Sequence, residues 1–259
     1  MKRAVVIGGS SGIGKATCAA LLKDGYEVKN ASRSRSDLDG VEDLELDVSN
    51  RGDTERVLAL LAPIDVLVYS AGFSMAAPIE HVRDEDARYL FEVNFFGLVE
   101  AVRCCARMMR EGGGGRIVAV GSMGSVLPIA FDAFYSASKA AVDMFVRAAA
   151  IELRPYNVFI TSLRPGATDT RFTFKRKVYG DDEVGVYGDK LKKATVTLAD
   201  AEQHGVSPEA VAADILEVIR SKNPPVAVSS GLMNKGIKLA QKILPESLSD
   251  LINRNFYMQ

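Results

Sequence analysis

Tyr135 and Lys139 stand four residues apart in the stretch YSASK, inside a segment with helical spacing. Residues at i and i+4 lie one above the other on a helix face. A phenol and an ammonium would then share one small space. A free phenol titrates near ~10, and an ammonium within ~4–6 Å favours the phenolate and lowers that value. The pair can decorate a helix surface, or it can act as a general acid and base whose proton a cation makes mobile. A second chemical feature lies near the N-terminus. The first apolar run enters IGGSSGIGKAT, with Gly8, Gly12 and Gly14 at G-x-x-x-G-x-G spacing and Ser10, Ser11 and Ile13 between them. Strand, glycines and helix in that order let backbone approach a pyrophosphate and offer free helix N–H groups to an anion.

The elements that must position these groups follow from hydrophobic patterning. Short runs rich in Val, Ile and Leu recur at 4–9, 27–32, 43–48, 65–70, 116–121, 158–163 and 225–230. The run at 27–32, EVKNAS, is polar and is placed as a strand by the repeat alone. Helical stretches lie between them, including a long one at about 84–111 and another at about 133–154. Strands alternating with helices predict an α/β fold, a doubly wound parallel sheet of seven strands in a single domain over 1–230. Residues 167–205 break the rhythm and read as a substrate loop, a lid or a disordered segment. The tail 231–259 reads as an amphipathic helix, MNKGIKLAQKIL, packed on the same domain and ended by Pro245.

Composition narrows the function class. With 32 basic and 33 acidic residues the formal net charge is −1, which gives no basic excess for nucleic acid. Cys18, Cys104 and Cys105 lack metal-ligand spacing and read as small buried hydrophobes in a reducing compartment. His81 and His204 read as surface residues, and no metal is expected. MKRAVVIGG is too short an apolar run for a signal peptide, and no stretch reaches the ~18–20 apolar residues of a membrane span. A cytoplasmic location is the expectation, and membrane contact is not expected.

The second strand bears on which dinucleotide binds. A site for NAD places a carboxylate about 20 residues beyond the glycines. Here Ser32 and Arg33 occupy that place, and no acid appears before Asp37. A serine and a guanidinium donate to a 2′-phosphate, whereas a carboxylate repels one. Lys15 offers a second positive charge. The expected cofactor is NADP(H).

The glycine spacing resembles the short-chain dehydrogenase/reductase family, with Ile7 where that family carries threonine. The tyrosine motif Y-x-x-x-K matches too, and in that family a catalytic serine precedes it by thirteen residues; residue 122 is Ser. FEVNFFG supplies the family's asparagine as Asn94, and RPGATDT matches P-G-x-x-x-T through Pro165, Gly166 and Thr170. The fourth strand ends YSAG where the family has N-N-A-G, so Ala71 and Gly72 match while Tyr69 and Ser70 depart. The resemblance covers roughly residues 3–230 and implies a Rossmann-type domain. It implies that Tyr135 is the general acid and base, and that Lys139 tunes it and holds the nicotinamide ribose. It implies that Ser122 donates to the developing alkoxide, and that Asn94 holds a water near Lys139. Asp47 and Val48 would meet the adenine. Ala71, Gly72, Pro165, Gly166, Thr168 and Thr170 would line the rest of the cofactor.

Around the tyrosine, PIAFDAFYSASKAAVDMF is similar to the hydroxysteroid and retinol dehydrogenase branch. Phe172, Phe174, Val178, Tyr179, Val184, Val186 and Tyr187, with Leu232, Met233, Ile237 and Phe256, suit a hydrophobic ketone or alcohol. Two other readings share the fold. One is a 3-oxoacyl reductase whose basic patch, Arg171 with Lys175, Arg176 and Lys177, meets an acidic carrier. The other is a non-enzymatic NADP(H) sensor. The resemblance also implies a homodimer or homotetramer through the two long helices.

Overall fold

The computed structural model describes residues 1–170 and 172–231. Expectations placed on Arg171, on the side chain of Phe174 and on the tail from Leu232 lie outside the described residues.

The chain runs β1 (Arg3–Ile7), α1 (Gly12–Lys23), β2 (Glu27–Ser32), β3 (Val41–Glu45), α2 (Asp53–Leu60) and β4 (Val66–Tyr69). A short β5 (Met75–Ala76) precedes α3 (Asp84–Phe91), a π-helical turn (Glu92–Phe96) and α4 (Gly97–Glu111). Then come β6 (Gly115–Val120), α5 (Ala133–Leu153), β7 (Val158–Arg164), α6 (Phe172–Lys175), β8 (Lys177–Val178) and α7 (Asp181–Val184). The last described elements are α8 (Gly188–Gln203), α9 (Pro208–Arg220) and β9 (Ala227–Ser229). Seven strands form one sheet in the order β3-β2-β1-β4-β6-β7-β9, every pair parallel. The expected doubly wound α/β fold is what the chain adopts.

Both faces of the sheet are covered. Val5 and Ile7 of β1 enter a core with residues of α2, α4 and α5, whereas Ala4 and Val6 enter a second core with α1 and α9. Strands buried on both sides need apolar residues at every position rather than at alternate ones. That is why AVVI, VLV and IVAV read as continuous runs. The polar EVKNAS is indeed a strand, with buried Asn30 donating from its amide to Asp43 Oδ1 of β3 at 2.8 Å. The third strand is displaced from expectation. It covers Val41–Glu45 rather than 43–48, because Asp47 turns the chain by accepting from the amide and hydroxyl of Ser49.

The segment 167–205 is a correction. It is neither a structureless loop nor a disordered lid, but α6, β8, α7 and the 16-residue α8. Leu191, Ala194, Leu198 and Ala201 recur at spacings of three and four, a helical stripe. β8 pairs with β5 through Met75–Lys177 and Ala76–Val178, which fixes this region to the loop after β4. Tyr135, Leu90, Tyr179, Val184 and Leu191 share a third, smaller core there. The topology therefore places an apolar cap over the carboxyl ends of the strands. In such sheets the crevice where strand order reverses, here between β1 and β4, is the ligand-binding position.

Candidate active site

A cleft of about 880 Å³ opens at those strand ends. Its floor begins with the turn after β1. Gly8 has φ +86 and lies so close to the fourth strand that a Cβ would sit 2.6 Å from the Ala71 amide nitrogen. Gly8, Ser10, Ser11, Gly12 and Ile13 line the cleft, as do Ser32, Arg33, Asp47, Val48, Ala71 and Gly72. Pro165, Gly166, Thr168 and Thr170 line it from the end of β7. Gly14 does not. A Cβ there would lie 2.1 Å from the Gly8 carbonyl oxygen, so its place in the motif serves the packing of helix on turn. Lys15, expected as a second cation, is also absent from the cleft wall.

The adenosine end differs in detail from expectation. Ser32 is buried and its hydroxyl donates to Asn30 Oδ1 at 2.6 Å, so its single proton is already committed. Arg33 stays exposed at the cleft wall. Burial works against the Asp47 carboxylate, yet the Ser49 bonds and the Arg33 charge hold it below its ordinary value.

At the other end Tyr135, Ser122 and Lys139 come together. Tyr135 is the third residue of α5 and 8% exposed. Ser122 follows β6 in a turn whose Gly124 amide donates to Ser122 Oγ at 2.9 Å. Lys139 Nζ lies 5.7 Å from the centre of the Tyr135 ring and donates to the Val120 carbonyl at 2.9 Å. Helix spacing thus delivers the phenol and ammonium to one cleft. Their electrostatics depart from the simple expectation. Burial pushes the phenol well above its ordinary value, opposed by a hydrogen bond with Ser122. Burial likewise pushes the ammonium down to about 8, opposed by Asp143. For each group desolvation is the largest cause.

The lowered lysine has a measurable consequence. Its ordinary value is 10.5, so between about 8 and 10.5 the unfolded chain binds more protons and stability rises with pH. Below about 8 both states are protonated and the burial penalty is present in full. Denaturation midpoints are therefore expected to rise between about pH 8 and 10 more steeply in the parent than in Lys139→Met. Parallel profiles would mean that the ammonium is not desolvated.

Asn94 is 1% exposed and does not line the cleft. It sits in the π turn, where its amide donates to the Phe73 carbonyl at 2.9 Å and to Ser138 Oγ at 3.1 Å. Its Oδ1 accepts from the Phe73 amide at 3.0 Å. The side chain ties the loop after β4 to α5. Tyr69, one of the departures from the family pattern, has a structural reason. Its hydroxyl donates to the Val93 carbonyl of the same π turn at 2.5 Å, and a Cβ on Gly97 would collide with it.

Of the apolar residues expected to meet a substrate, Phe172 lines the far wall, whereas Val178, Tyr179, Val184, Val186 and Tyr187 do not. Phe73, Tyr89, Leu127, Ile129, Phe172 and Leu198 form its apolar part. The Lys175–Arg176–Lys177 run is not a free basic patch. Lys175 donates to Ser11 Oγ at 3.0 Å, Arg176 pairs with Glu202 at 2.5 Å, and Lys177 pairs with Asp86.

His81 and His204 stand apart from the cleft, and no group of three or more His, Cys, Asp or Glu able to hold a metal occurs among the described residues. No helix among them is long and apolar enough to cross a membrane.

The family model described as short chain dehydrogenase matches residues 2–178. A 3-ketodihydrosphingosine reductase of Bacteroides thetaiotaomicron is 30% identical over 262 residues, 98% of this chain and 97% of that protein. An L-xylulose reductase of Mesocricetus auratus is 33% identical over 172 residues, 63% of this chain and 70% of its own length. A Burkholderia cenocepacia short chain dehydrogenase solved in complex with NADP has TM-score 0.75 at 24% identity, covering 96% of this chain and 97% of its own. A tyrosine, a serine and a lysine meeting beside a glycine turn are thus found in a chain that matches the family model over most of its length: it belongs to the short-chain dehydrogenase/reductase family, as an oxidoreductase acting on CH–OH and C=O groups with a nicotinamide cofactor.

Proposed function

We propose that the chain is an NADP(H)-dependent oxidoreductase that interconverts a ketone and a secondary alcohol on a hydrophobic substrate. The observation that carries this reading is one cleft holding Tyr135, Ser122 and Lys139 against an apolar wall of Phe73, Tyr89, Leu127, Ile129 and Phe172. The glycine turn fits a dinucleotide, since Gly8 and Gly12 take positive φ and Gly8 packs against Ala71, which brings the turn from Gly8 to Ile13 to the cleft wall. Gly8, Ser10, Ser11, Gly12 and Ile13 hold the pyrophosphate, Asp47 and Val48 the adenine, and Ala71, Gly72, Pro165, Gly166, Thr168 and Thr170 the remainder. The bound nicotinamide supplies hydride to the carbonyl carbon. Tyr135 gives its phenolic proton to the carbonyl oxygen, and takes it back in oxidation. The Ser122 hydroxyl donates to the oxygen as negative charge develops on it. The Lys139 ammonium steadies the phenolate that remains. Asn94 acts through position, holding Phe73 and Ser138.

A full-length relationship to a reductase named for a long-chain ketone supports the hydrophobic class. The sugar-reductase relative covers a smaller share of this chain. Arg176 and Lys177 pair with acids of this chain, which weakens the support for an acyl-carrier patch. NADPH oxidation measured with 3-ketodihydrosphingosine, steroid, retinoid and acyl ketones tests the reading. If no ketone in the panel oxidises NADPH, the reductase reading is lost.

The choice of NADP(H) rests on Arg33. A charge-assisted bond to a 2′-phosphate is worth about 1.5–3 kcal/mol, so Arg33→Ala is expected to weaken NADPH by about 10- to 100-fold and NADH little. Titration by cofactor fluorescence reads both. NADH binding as tightly as NADPH in the parent would remove Arg33 from the argument.

A further inference from the structure

The surroundings of Lys139 do not end at the cleft wall. Its Nζ donates to the Val120 carbonyl of β6 at 2.9 Å. A Cβ on Gly72 would lie 3.5 Å from that nitrogen and 3.1 Å from Asn94 Oδ1, so a neutral amide faces this side. The Tyr135 ring lies one turn earlier on the same helix. One turn later comes Asp143, 6% exposed, whose charge reaches the lysine. Beyond Asp143 stands Arg164 at the end of β7.

Residues four apart on a helix are placed to form an ion pair. Here the lysine bonds Val120 instead, because Asp143 is engaged from other sides. Arg164 Nε lies 2.6 Å from Asp143 Oδ2, with both side chains buried. The Ser162 hydroxyl donates to Oδ1. The Ser125 hydroxyl shares its one proton between Oδ2 and the Ser122 carbonyl oxygen, the latter at 2.8 Å. A Cβ on Gly121 would lie 2.8 Å from Ser162 Oγ and 3.4 Å from Asp143 Oδ1, so the cluster sits directly behind the cleft-lining turn that leads to Ser122. With its oxygens engaged in this way, the carboxylate supplies charge to the lysine without drawing the ammonium away from the phenol.

A latch between α5 and β7 needs no charge, since an apolar pair of similar volume would hold them as well. A charged pair beside a desolvated ammonium has an electrostatic use. Burial lowers the lysine to about 8, and Asp143 opposes that fall. Without the opposition the ammonium would be lost closer to neutral pH, and with it the charge that steadies the phenolate.

Resting on the reductase reading above, we propose that Asp143 is a positioning residue for the reaction: held by Arg164, Ser162 and Ser125, it keeps Lys139 charged from behind the site and leaves the ammonium facing Tyr135.

The test is the titration of Lys139 itself, followed by NMR in the full chain with lysine isotope-labelled at Cε, the signal being assigned by its loss in Lys139→Met. Asp143→Asn is expected to lower the titration by about one unit, the low end of what a nearby opposite charge contributes. Asp143→Asn/Arg164→Met also removes the guanidinium that the single change strands, and is expected to recover about half of that drop. Ser125→Ala keeps the charge and cuts the tie to the Ser122 turn, and is expected to move the lysine by less than about 0.3 unit. General damage to the site would instead leave the double variant no better than the single one and would shift Ser125→Ala as well. An unmoved lysine in Asp143→Asn, a double variant equal to the parent or to the single variant, or a full shift in Ser125→Ala overturns the proposal. If circular dichroism shows that Asp143→Asn does not fold, the double variant carries the test: it is expected about half a unit below the parent, and equality overturns the proposal. With a reducible ketone, the alkaline limb of NADPH oxidation is expected to move down with the lysine in the folded Asp143 variants; a limb that stays while the lysine moves also overturns it, since the charge would then not serve the reaction. Absence of NADPH oxidation with every ketone defeats the reductase reading, a result separate from the NMR titration.

Discussion

Tyr135→Phe is expected to lower turnover by about 10²–10⁴-fold, the range a positioned general acid supplies, with NADPH affinity nearly unchanged. The substitution removes one oxygen and keeps the ring, which packs beside Phe172 at 5.9 Å between centres. It also removes a group whose ionised form burial disfavours, so the folded state is not expected to suffer. The measurement is single-turnover NADPH oxidation together with cofactor titration. A variant that keeps turnover within about threefold of the parent, a far smaller loss than general acid catalysis implies, removes the phenol from the mechanism.

The second large effect is on stability. Asp143 and Arg164 form an ion pair at 2.6 Å with both side chains buried. The hydroxyls of Ser125 and Ser162 also donate to Asp143. Asp143 lies one turn beyond Lys139 on α5, Arg164 ends β7 just before Pro165, and Ser125 closes the turn that begins with Ser122. One carboxylate therefore holds together three segments that line the cleft. Removing one partner of a buried pair leaves an uncompensated charge, typically about 3–5 kcal/mol. Arg164→Met is expected to lower Tm by roughly 6–20 °C on that basis. The double variant Asp143→Asn/Arg164→Met is expected to be more stable than Arg164→Met alone, because the stranded charge is gone. Losses that simply add would show that the two side chains do not act as a pair.

The groups legible in the sequence were those set by local spacing. Tyr135 and Lys139 are held together by helix pitch alone, and the glycine turn by its place after a doubly buried strand. The strands were legible because parallel strands inside two cores need unbroken apolar runs. What escaped depends on distant partners. Arg176, Ser74, Asp132 and Glu202 are scattered over the chain and meet only when β5 pairs with β8. The helix α8 is hard to see in the sequence because the segment is charged and Thr195, Val196 and Thr197 place β-branched residues in its interior. The Leu191–Ala194–Leu198–Ala201 stripe was the signal that could have found it. Position alone marks Ser32 as a donor to the ligand, whereas its hydroxyl donates to Asn30, two residues before it on the same sheet face.

The π turn at Glu92–Phe96 holds one residue more than the regular pitch would accommodate. The two halves of the 84–111 helix are thereby out of phase, and Asn94 faces Phe73 and Ser138 from the middle of the turn. A one-codon deletion within that turn is expected to restore the regular pitch and to turn Asn94 away from Phe73 and Ser138. The length of this segment, and not only the identity of its side chains, therefore sets whether Asn94 can tie the loop after β4 to α5.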